Sequence, residues 1–166
     1  KYVGDIIREC QPTAIVTKEV DLLRLTNESV CDYIVELPDA RIFVECKATG
    51  YTASLPSLSS IEKNNAIGKI ASALDQIAST TRLLRAGAFD SILPRAEKKS
   101  YAIIVTFRHI PSANDSTFRE TVIEPRSSHA HQLARELVRP TQILDISELE
   151  DALAITLKER LTFDAI

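Results

Sequence analysis

Two short apolar runs separated by a turn signal constrain the fold of this chain more than any other stretch. Residues 33–37 and 41–44 are rich in side chains that favour β-structure, and the Pro-Asp-Ala sequence at 38–40 lies between them. This pattern predicts a β-hairpin. Its outer ends carry ionisable side chains, so the register of the hairpin decides whether those charges meet.

The ionisable groups are Asp32 before the first strand and Glu45 and Lys47 at the end of the second. Because strand side chains alternate between faces, Glu45 and Lys47 share one face and Cys46 takes the other. If the two residues flanking the Pro-Asp turn pair with each other, Asp32 falls opposite Glu45, and the carboxylates form a site for a hard cation. Pro38 fits a type I or II turn better than the primed turns of two-residue hairpins, so a three-residue loop with a bulge is an open alternative. A one-residue slip would turn Asp32 away from Glu45.

Hydrophobic periodicity along the rest of the chain predicts helices and strands in alternation. Late strands that alternate with helices, after an early antiparallel meander, predict an α/β fold with a mixed sheet and helices on both faces. The predicted helices are the end of one within 1–10, a long one over 61–85 with Gly87 as its C-cap signal, one over 128–138 ended by Pro140, and one over 147–161 opened by a capping box of Ser147 and Glu150. The predicted strands are one or two within 14–25, a strand buried on both faces over 101–107, and further strands over 118–123 and 142–146, while 49–60 is a Ser/Thr-rich loop beside the hairpin.

Length and composition limit the class of protein. With 166 residues, the chain has the size of a single domain, and its 45% hydrophobic and 26% charged content is ordinary for a globular protein. No apolar run reaches the roughly 20 residues that span a bilayer, and no signal peptide opens the chain, so we expect a cytoplasmic protein without membrane contact. The three cysteines lack CxxC spacing, which argues against zinc and disulfides. Because the chain starts at Lys1 and contains no methionine, we expect it to be part of a larger protein.

The charged end of the hairpin has a chemical logic for phosphodiester hydrolysis. Asp32 and Glu45 would supply hard oxygen ligands for Mg²⁺, and the backbone carbonyl of Cys46 lies between them as an additional ligand. A bound Mg²⁺ polarises a phosphoryl oxygen and lowers the pKa of a bound water. Lys47 would orient or help to deprotonate that water and offset charge that builds on the phosphate.

These residues give the chain a resemblance to the PD-(D/E)xK nuclease superfamily, which has the restriction-endonuclease-like fold. The matching features are Asp32, a hairpin's length of chain, and then Glu45-Cys46-Lys47, with a helix before and a long helix after. The resemblance covers roughly residues 1–107 and departs from the motif at Cys31, which stands where the family name has proline. It implies that Asp32 and Glu45 bind metal and that Lys47 is the catalytic lysine.

The resemblance adds candidates on the flanking helices. In many relatives a glutamate of the first helix also binds metal, which makes Glu9 the candidate and Glu19 the less favoured one. Some relatives carry a glutamine on the next helix followed four residues later by tyrosine, whereas here Gln76 is followed by Thr80. Lys69 and Gln76 are seven residues apart on the long helix and therefore lie on similar sides of it. Both are candidates for binding the substrate.

We therefore predict a Mg²⁺-dependent nuclease domain, with Mn²⁺ able to substitute, in a restriction, defence or toxin-type protein. The resemblance favours an endonuclease that cuts DNA rather than RNA, and a homodimer by analogy with nucleases that cut two strands. The net charge of −3 argues against a broad basic DNA-binding surface, so other domains of the parent protein would supply DNA affinity. The alternative is a catalytically inactive module of this fold that binds nucleic acid or a partner protein. An α/β enzyme for a small phosphorylated substrate is a third reading, without a Gly-rich phosphate loop to support it.

Overall fold

The chain forms a five-stranded mixed sheet that carries helices on both faces, as the sequence predicted. The computed structural model describes residues 2–49, 60–93 and 96–159, together with their side chains except for those of 60–63 and 156–159. The elements are α1 (Tyr2–Cys10), β1 (Ile15–Lys18), α2 (Glu19–Leu22), β2 (Tyr33–Glu36), β3 (Ala40–Lys47), α3 (Ser60–Arg85), β4 (Lys99–Thr106), α4 (Ser116–Phe118) with a π-helical turn (Arg119–Ile123) and a 3₁₀ turn (Glu124–Arg126) directly after it, α5 (Ala130–Ala134), β5 (Gln142–Asp145) and α6 (Ile146–Glu159).

The strands lie in the order β1-β2-β3-β4-β5, so neighbours in sequence are neighbours in the sheet. The first three strands are antiparallel, and β3, β4 and β5 run parallel to one another. Because the chain crosses from β3 to β4 through α3 and from β4 to β5 through the α4–α5 region, the carboxyl ends of three parallel strands meet at one edge. Such an edge is where α/β sheets commonly bind ligands.

Alternating side chains divide the core into two layers. One layer, which we call the α3-side core, includes Ile34, Phe43, Ile70, Ile77, Ile104 and Ile143. The other, the α1/α6-side core, includes Val3, Ile7, Val35, Val44, Ile103, Leu149 and Leu153. Every residue from Tyr101 to Thr106 is buried, as predicted for a strand covered on both faces.

The register of the hairpin is the one that places Asp32 opposite Glu45. Tyr33 pairs with Val44, and the Leu37 N–H donates to the Ala40 carbonyl at 2.9 Å, which leaves a two-residue loop. Among the described residues other than glycine, positive φ occurs only at Ser112, so this loop turns without primed geometry. The bulged alternative is wrong.

Buried charges at the turn end of the hairpin hold this register. Glu36 is 2% exposed and forms ion pairs with Arg41 and with Lys98, whose Nζ lies 2.9 Å from Glu36 Oε2. Lys98 Nζ also donates to the Leu37 carbonyl. The Lys99 N–H, at the start of β4, donates to the carbonyl of Asp39 at 3.3 Å. Tertiary contacts therefore fix a turn that Pro-Asp alone would not specify.

Three predicted elements are wrong in type or length. The strand predicted within 14–25 stops at Lys18, where its partner strand begins at Tyr33, and the chain continues as α2. Residues 118–123 are helical rather than extended, because the Asp115 side chain accepts the Phe118 N–H at 2.9 Å and opens a helix there. The helix predicted over 128–138 is only the short α5, since the Val138 N–H donates instead to the Ser100 carbonyl of β4 at 2.9 Å.

The remaining predicted elements are confirmed within a few residues. Helices α1 and α3 and strands β4 and β5 match the predictions, and Gly87 has the positive φ of a C-cap, 81°. Residue 161, the predicted end of the last helix, and most of the predicted loop over 49–60 lie outside the described residues. None of the described helices is long and apolar enough to cross a membrane.

The capping box of α6 lies two residues earlier than predicted. The Glu148 N–H donates to Asp145 Oδ1 at 2.9 Å, and the Asp145 N–H donates to Glu148 Oε2 at 2.8 Å. This is the reciprocal pattern of a capping box. Ser147 and Glu150, which fit the same sequence pattern, lie inside the helix.

We expect Asp145→Ala to lower the free energy of unfolding by about 1 kcal/mol, because it removes the side-chain acceptor at the start of α6. Ser147→Ala is the matched control and should change stability by less than about 0.5 kcal/mol, because Ser147 is exposed within the helix. Urea denaturation of both variants measures the difference. An equal or larger loss in Ser147→Ala would contradict the observed cap.

Candidate functional site

Two carboxylates meet where β2 begins and β3 ends. Asp32 and Glu45 continue the register of the hairpin and occupy a non-hydrogen-bonded position, where opposed side chains approach most closely. Each carboxylate is bonded to the other strand: the Cys46 N–H donates to Asp32 Oδ2 at 2.6 Å, and the Asp32 N–H donates to Glu45 Oε2 at 3.1 Å. Backbone contacts therefore fix both acids before any ligand arrives.

Lys47 completes this group. Its Nζ lies 2.7 Å from Glu45 Oε1 and also donates to Oε1 of Gln76 on α3. The side chain of Lys47 is 17% exposed, whereas that of Glu45 is 3% exposed. Cys46, between them, packs against the α1/α6-side core, so the predicted alternation of faces is confirmed.

Burial changes the acidity of Glu45. The pKa of this carboxyl is raised to about 7, chiefly by desolvation on burial; the negative charge of Asp32 acts in the same direction, while the hydrogen bond and charge of Lys47 oppose the rise. A carboxyl with this pKa exchanges its proton near neutral pH. Because burial and a second carboxylate disfavour its ionised form, Glu45 gains more from a bound cation than an exposed glutamate would.

Helix α3 positions Asp32 through the chain that precedes it. Gln76 Nε2 donates to the Val30 carbonyl at 3.4 Å, and the buried Thr80 Oγ1 accepts the Cys31 N–H at 2.8 Å. Thr80 is the residue at which the glutamine motif departs from the tyrosine of some relatives. Sequence reasoning missed its role, for which the only signal was its place one helical turn after Gln76.

Lys69, the other candidate on α3, also lies at this end of the sheet. Its Nζ donates to the carbonyl of Ala48, the residue after Lys47, at 3.3 Å, and its side chain is exposed. The structure therefore brings both α3 candidates, Lys69 and Gln76, to the end of β3.

The two additional acidic candidates lie in different places, one on the opposite face of the sheet and one with its backbone next to Asp32. Glu9 is exposed near the end of α1, a helix whose buried residues belong to the α1/α6-side core, on the other face of the sheet from Glu45. The structure does not bring it to the carboxylate pair. Glu19 was the less favoured candidate, yet its N–H donates to the Asp32 carbonyl at 2.7 Å. The first residue of α2 thus lies directly beside Asp32.

The donor set suits a hard cation. Asp32 Oδ1 has no hydrogen-bond partner among the described residues, and the bonded oxygens of Asp32 and Glu45 each keep a second lone pair. The Cys46 carbonyl lies on the same side of β3 as the Cys46 N–H, which donates to Asp32, because the two groups of one strand residue point the same way. All these ligand atoms are oxygens, as Mg²⁺ requires.

The cysteines near the site are not nucleophiles. Burial raises the pKa of the Cys31 and Cys46 thiols to about 12, so both stay protonated at neutral pH. Thiolate catalysis therefore does not fit this site.

A second polar group lies along the same edge of the sheet. His109 Nδ1 is 3.2 Å from Glu148 Oε1 and 4.0 Å from Asp145 Oδ2, and the three ligand atoms lie within 4.8 Å of one another. Both acids cap α6 with their other oxygens. The sequence analysis did not predict this group. Its signal was that His109 closely follows β4 and Asp145 ends β5, and these two parallel strands are neighbours in the sheet.

We expect Thr80→Val to destabilise the fold by about 1–3 kcal/mol, because it leaves the buried Cys31 N–H without an acceptor. Thr81→Val is the matched control. Thr81 is also buried, but its hydroxyl donates to the Ile77 carbonyl of the same helix, at 2.8 Å. Replacing it should therefore lower the free energy of unfolding by less than about 1 kcal/mol. Denaturation midpoints of the two variants measure the difference, and equal losses would contradict the positioning role of Thr80.

In the absence of divalent cations, we expect the stability of the chain to fall as the pH rises from about 4.5 to about 7. In that window the folded chain holds a proton on Glu45 that the unfolded chain has already released, so raising the pH favours unfolding. Urea titrations at several pH values in EDTA measure the slope. Glu45→Gln should remove this component, and an unchanged slope in the variant would contradict the raised pKa.

Models of protein families were scanned with this chain, and none matched. A search among curated proteins also found no match. The resemblance carried by Asp32, Glu45 and Lys47 therefore stays a prediction.

Proposed function

We propose that this chain is a metal-dependent nuclease domain that hydrolyses phosphodiester bonds, with DNA as its substrate. The observation that carries the proposal is the pair of opposed carboxylates, Asp32 and Glu45, with Lys47 on the same face. Two carboxylates and one lysine at a largely buried strand end leave one negative charge without a cationic partner of its own, which a bound cation would offset. A phosphodiester needs charge neutralisation and an activated water, which this set of groups can provide.

Mg²⁺ is the cation that we propose, with Mn²⁺ as a substitute, because the donors are all oxygens. Asp32, Glu45 and the Cys46 carbonyl would hold it, and when bound it would polarise the phosphoryl oxygen and make a bound water more acidic. Asp32 and Glu45 are held by backbone N–H groups at 2.6 and 3.1 Å, so both carboxylates have fixed orientations at the end of the hairpin.

Lys47 is the proposed catalytic residue. Gln76 accepts a hydrogen bond from its ammonium group, which gives Lys47 an anchor that does not depend on Glu45. When Glu45 is engaged as a ligand, the amine therefore keeps its place on the α3 side of the sheet. From there it can orient the attacking water and offset the charge that develops on the phosphate.

The element order supports the finer fold proposal, a restriction-endonuclease-like domain. Helix α1, three antiparallel strands, the long helix α3 and the parallel strand β4 follow one another as in that fold. The acidic balance of the chain agrees with a nuclease domain that obtains DNA affinity from other domains.

A module of this fold that binds nucleic acid or a protein without cutting is the second candidate. The ion pair of Lys47 with Glu45 and the bond of Lys47 to Gln76 satisfy all three side chains without a metal, as a purely structural network would. Cleavage assays separate the two candidates.

We expect the chain to cleave plasmid DNA in Mg²⁺ or Mn²⁺ and to be inactive in EDTA. Asp32→Asn, Glu45→Gln and Lys47→Met should each lower the rate by about 100-fold or more, the usual loss when an electrostatic or acid–base group is removed. Gel assays of nicked and linear products measure the rate.

Glu9→Gln is the matched control for the acidic variants and should leave the rate near that of the parent chain, because Glu9 lies away from the carboxylate pair. Unchanged cleavage in Glu45→Gln and Lys47→Met would overturn the assignment. If the parent chain binds DNA without cutting it in either metal, the second candidate is correct.

A further inference from the structure

An exposed aromatic ring and a guanidinium group lie together at the end of β4, the strand next to the one that carries Glu45 and Lys47. Phe107 directly follows Thr106, the residue of β4 that pairs with Lys47. At 62% exposure, Phe107 has the largest exposed fraction of any large apolar side chain that the structure describes. The Arg108 guanidinium lies over its ring, 5.8 Å from the centroid, in a cation–π arrangement.

The backbone of this pair is fixed from two sides. The N–H groups of Phe107 and Arg108 both point to the carbonyl of Thr49, at 3.0 and 3.4 Å. The hydroxyl of Thr106, which is 1% exposed, donates to the Arg108 carbonyl at 2.9 Å. The exposed ring is therefore presented by an ordered backbone, tied to the end of β3 by Thr49.

We propose that Phe107 and Arg108 bind an unpaired nucleotide of the substrate, with its base stacked on the Phe107 ring and its phosphate held by Arg108. This inference rests on the proposed nuclease function and narrows its substrate to single strands or to sites with unpaired nucleotides. Aromatic rings stack on any base, and a base within a duplex does not offer its face to a side chain. Arg108 lies over one side of the ring, and the 62% exposure of Phe107 leaves ring surface for the base.

The position of the pair relates the bound nucleotide to the proposed site. Thr106 pairs with Lys47, and the chain bends directly after it, at Phe107 and Arg108. Neighbouring strands lie about 4.8 Å apart, so the backbone of Phe107 is one strand and one residue from Lys47. The bound nucleotide would therefore lie at the same edge of the sheet as the proposed catalytic lysine.

The surrounding charges favour a backbone path on the β3–β4 side of this edge. Lys69 contributes a positive charge at the end of β3, where Lys47 is paired with Glu45, and Arg108 contributes one at the end of β4. Beyond β4, the carboxylates of Asp145 and Glu148 are committed to the cap of α6 and face His109. Phosphates would be repelled there, so the positive path ends at Arg108.

A tryptophan reporter tests stacking directly. The chain contains no tryptophan, so Phe107→Trp introduces a single one at the proposed binding position. We expect an oligothymidine strand of about 12 nucleotides, added in EDTA to prevent cleavage, to quench its fluorescence. The same strand with abasic positions should quench it much less. Equal quenching by both strands, or none by either, would overturn the stacking.

Affinities measured by fluorescence anisotropy provide the second test. Phe107→Ala should weaken binding of the oligothymidine strand about 5- to 100-fold and leave binding of a blunt duplex unchanged. Tyr2→Ala, which removes an aromatic side chain that is 56% exposed on α1, is the matched control and should bind like the parent chain. An unchanged affinity in Phe107→Ala, with a folded chain by circular dichroism, would overturn the inference.

The two proposals fail in different ways. If plasmid cleavage depends on Glu45 and Lys47 but Phe107→Ala binds single strands normally, the nuclease function stands and this inference is wrong. If no cleavage occurs but single-strand binding depends on Phe107, the binding site stands and the catalytic proposal is wrong.

Discussion

The register of the β2–β3 hairpin is the constraint on which the rest of the structure depends. A shift by one residue would exchange the faces of every side chain in β2, moving Ile34 out of the α3-side core and Asp32 away from Glu45. The turn residues do not prevent this shift by themselves. Lys98 and Arg41 stabilise the observed pairing, in which both form ion pairs with the buried Glu36. The geometry of the proposed site is thus set by an ion-pair group at the opposite end of the same hairpin.

The two ends of the hairpin handle buried charge in opposite ways. At the turn, one carboxylate, Glu36, meets two cations, so the negative charge is fully compensated. At the other end, two carboxylates share one lysine, and a net negative charge remains. Burial makes that excess costly, as the raised pKa of Glu45 shows. A divalent cation would neutralise the excess negative charge at the end that carries Asp32 and Glu45. At the turn end, the two cationic side chains already neutralise Glu36.

Periodicity and turn chemistry were sufficient to predict the hairpin, α3, β4 and the mixed sheet, because each of these buries a long regular pattern. The errors lie where backbone groups find partners far away in sequence, as the Val138 N–H does at Ser100. At α6, two overlapping stretches fit the capping-box pattern, Asp145 with Glu148 and Ser147 with Glu150. Because β5 ends at Asp145, the helix begins directly after it and the first stretch forms the cap. Glu45 and Lys47 were recognisable from their spacing, but Thr80 was not, since a threonine inside a helix rarely signals a contact with a distant strand.

Helix α3 links the proposed site to the core. Gln76 and Thr80 hold the chain before Asp32, and their neighbour Ile77 is fully buried against the sheet. Gln76 also accepts the hydrogen bond of Lys47, so one helix holds both the lysine and the chain that leads to Asp32. A site made of short strand ends thereby gains support from a buried helix, which the near-ideal octahedral geometry of the proposed Mg²⁺ would demand more than that of a larger cation.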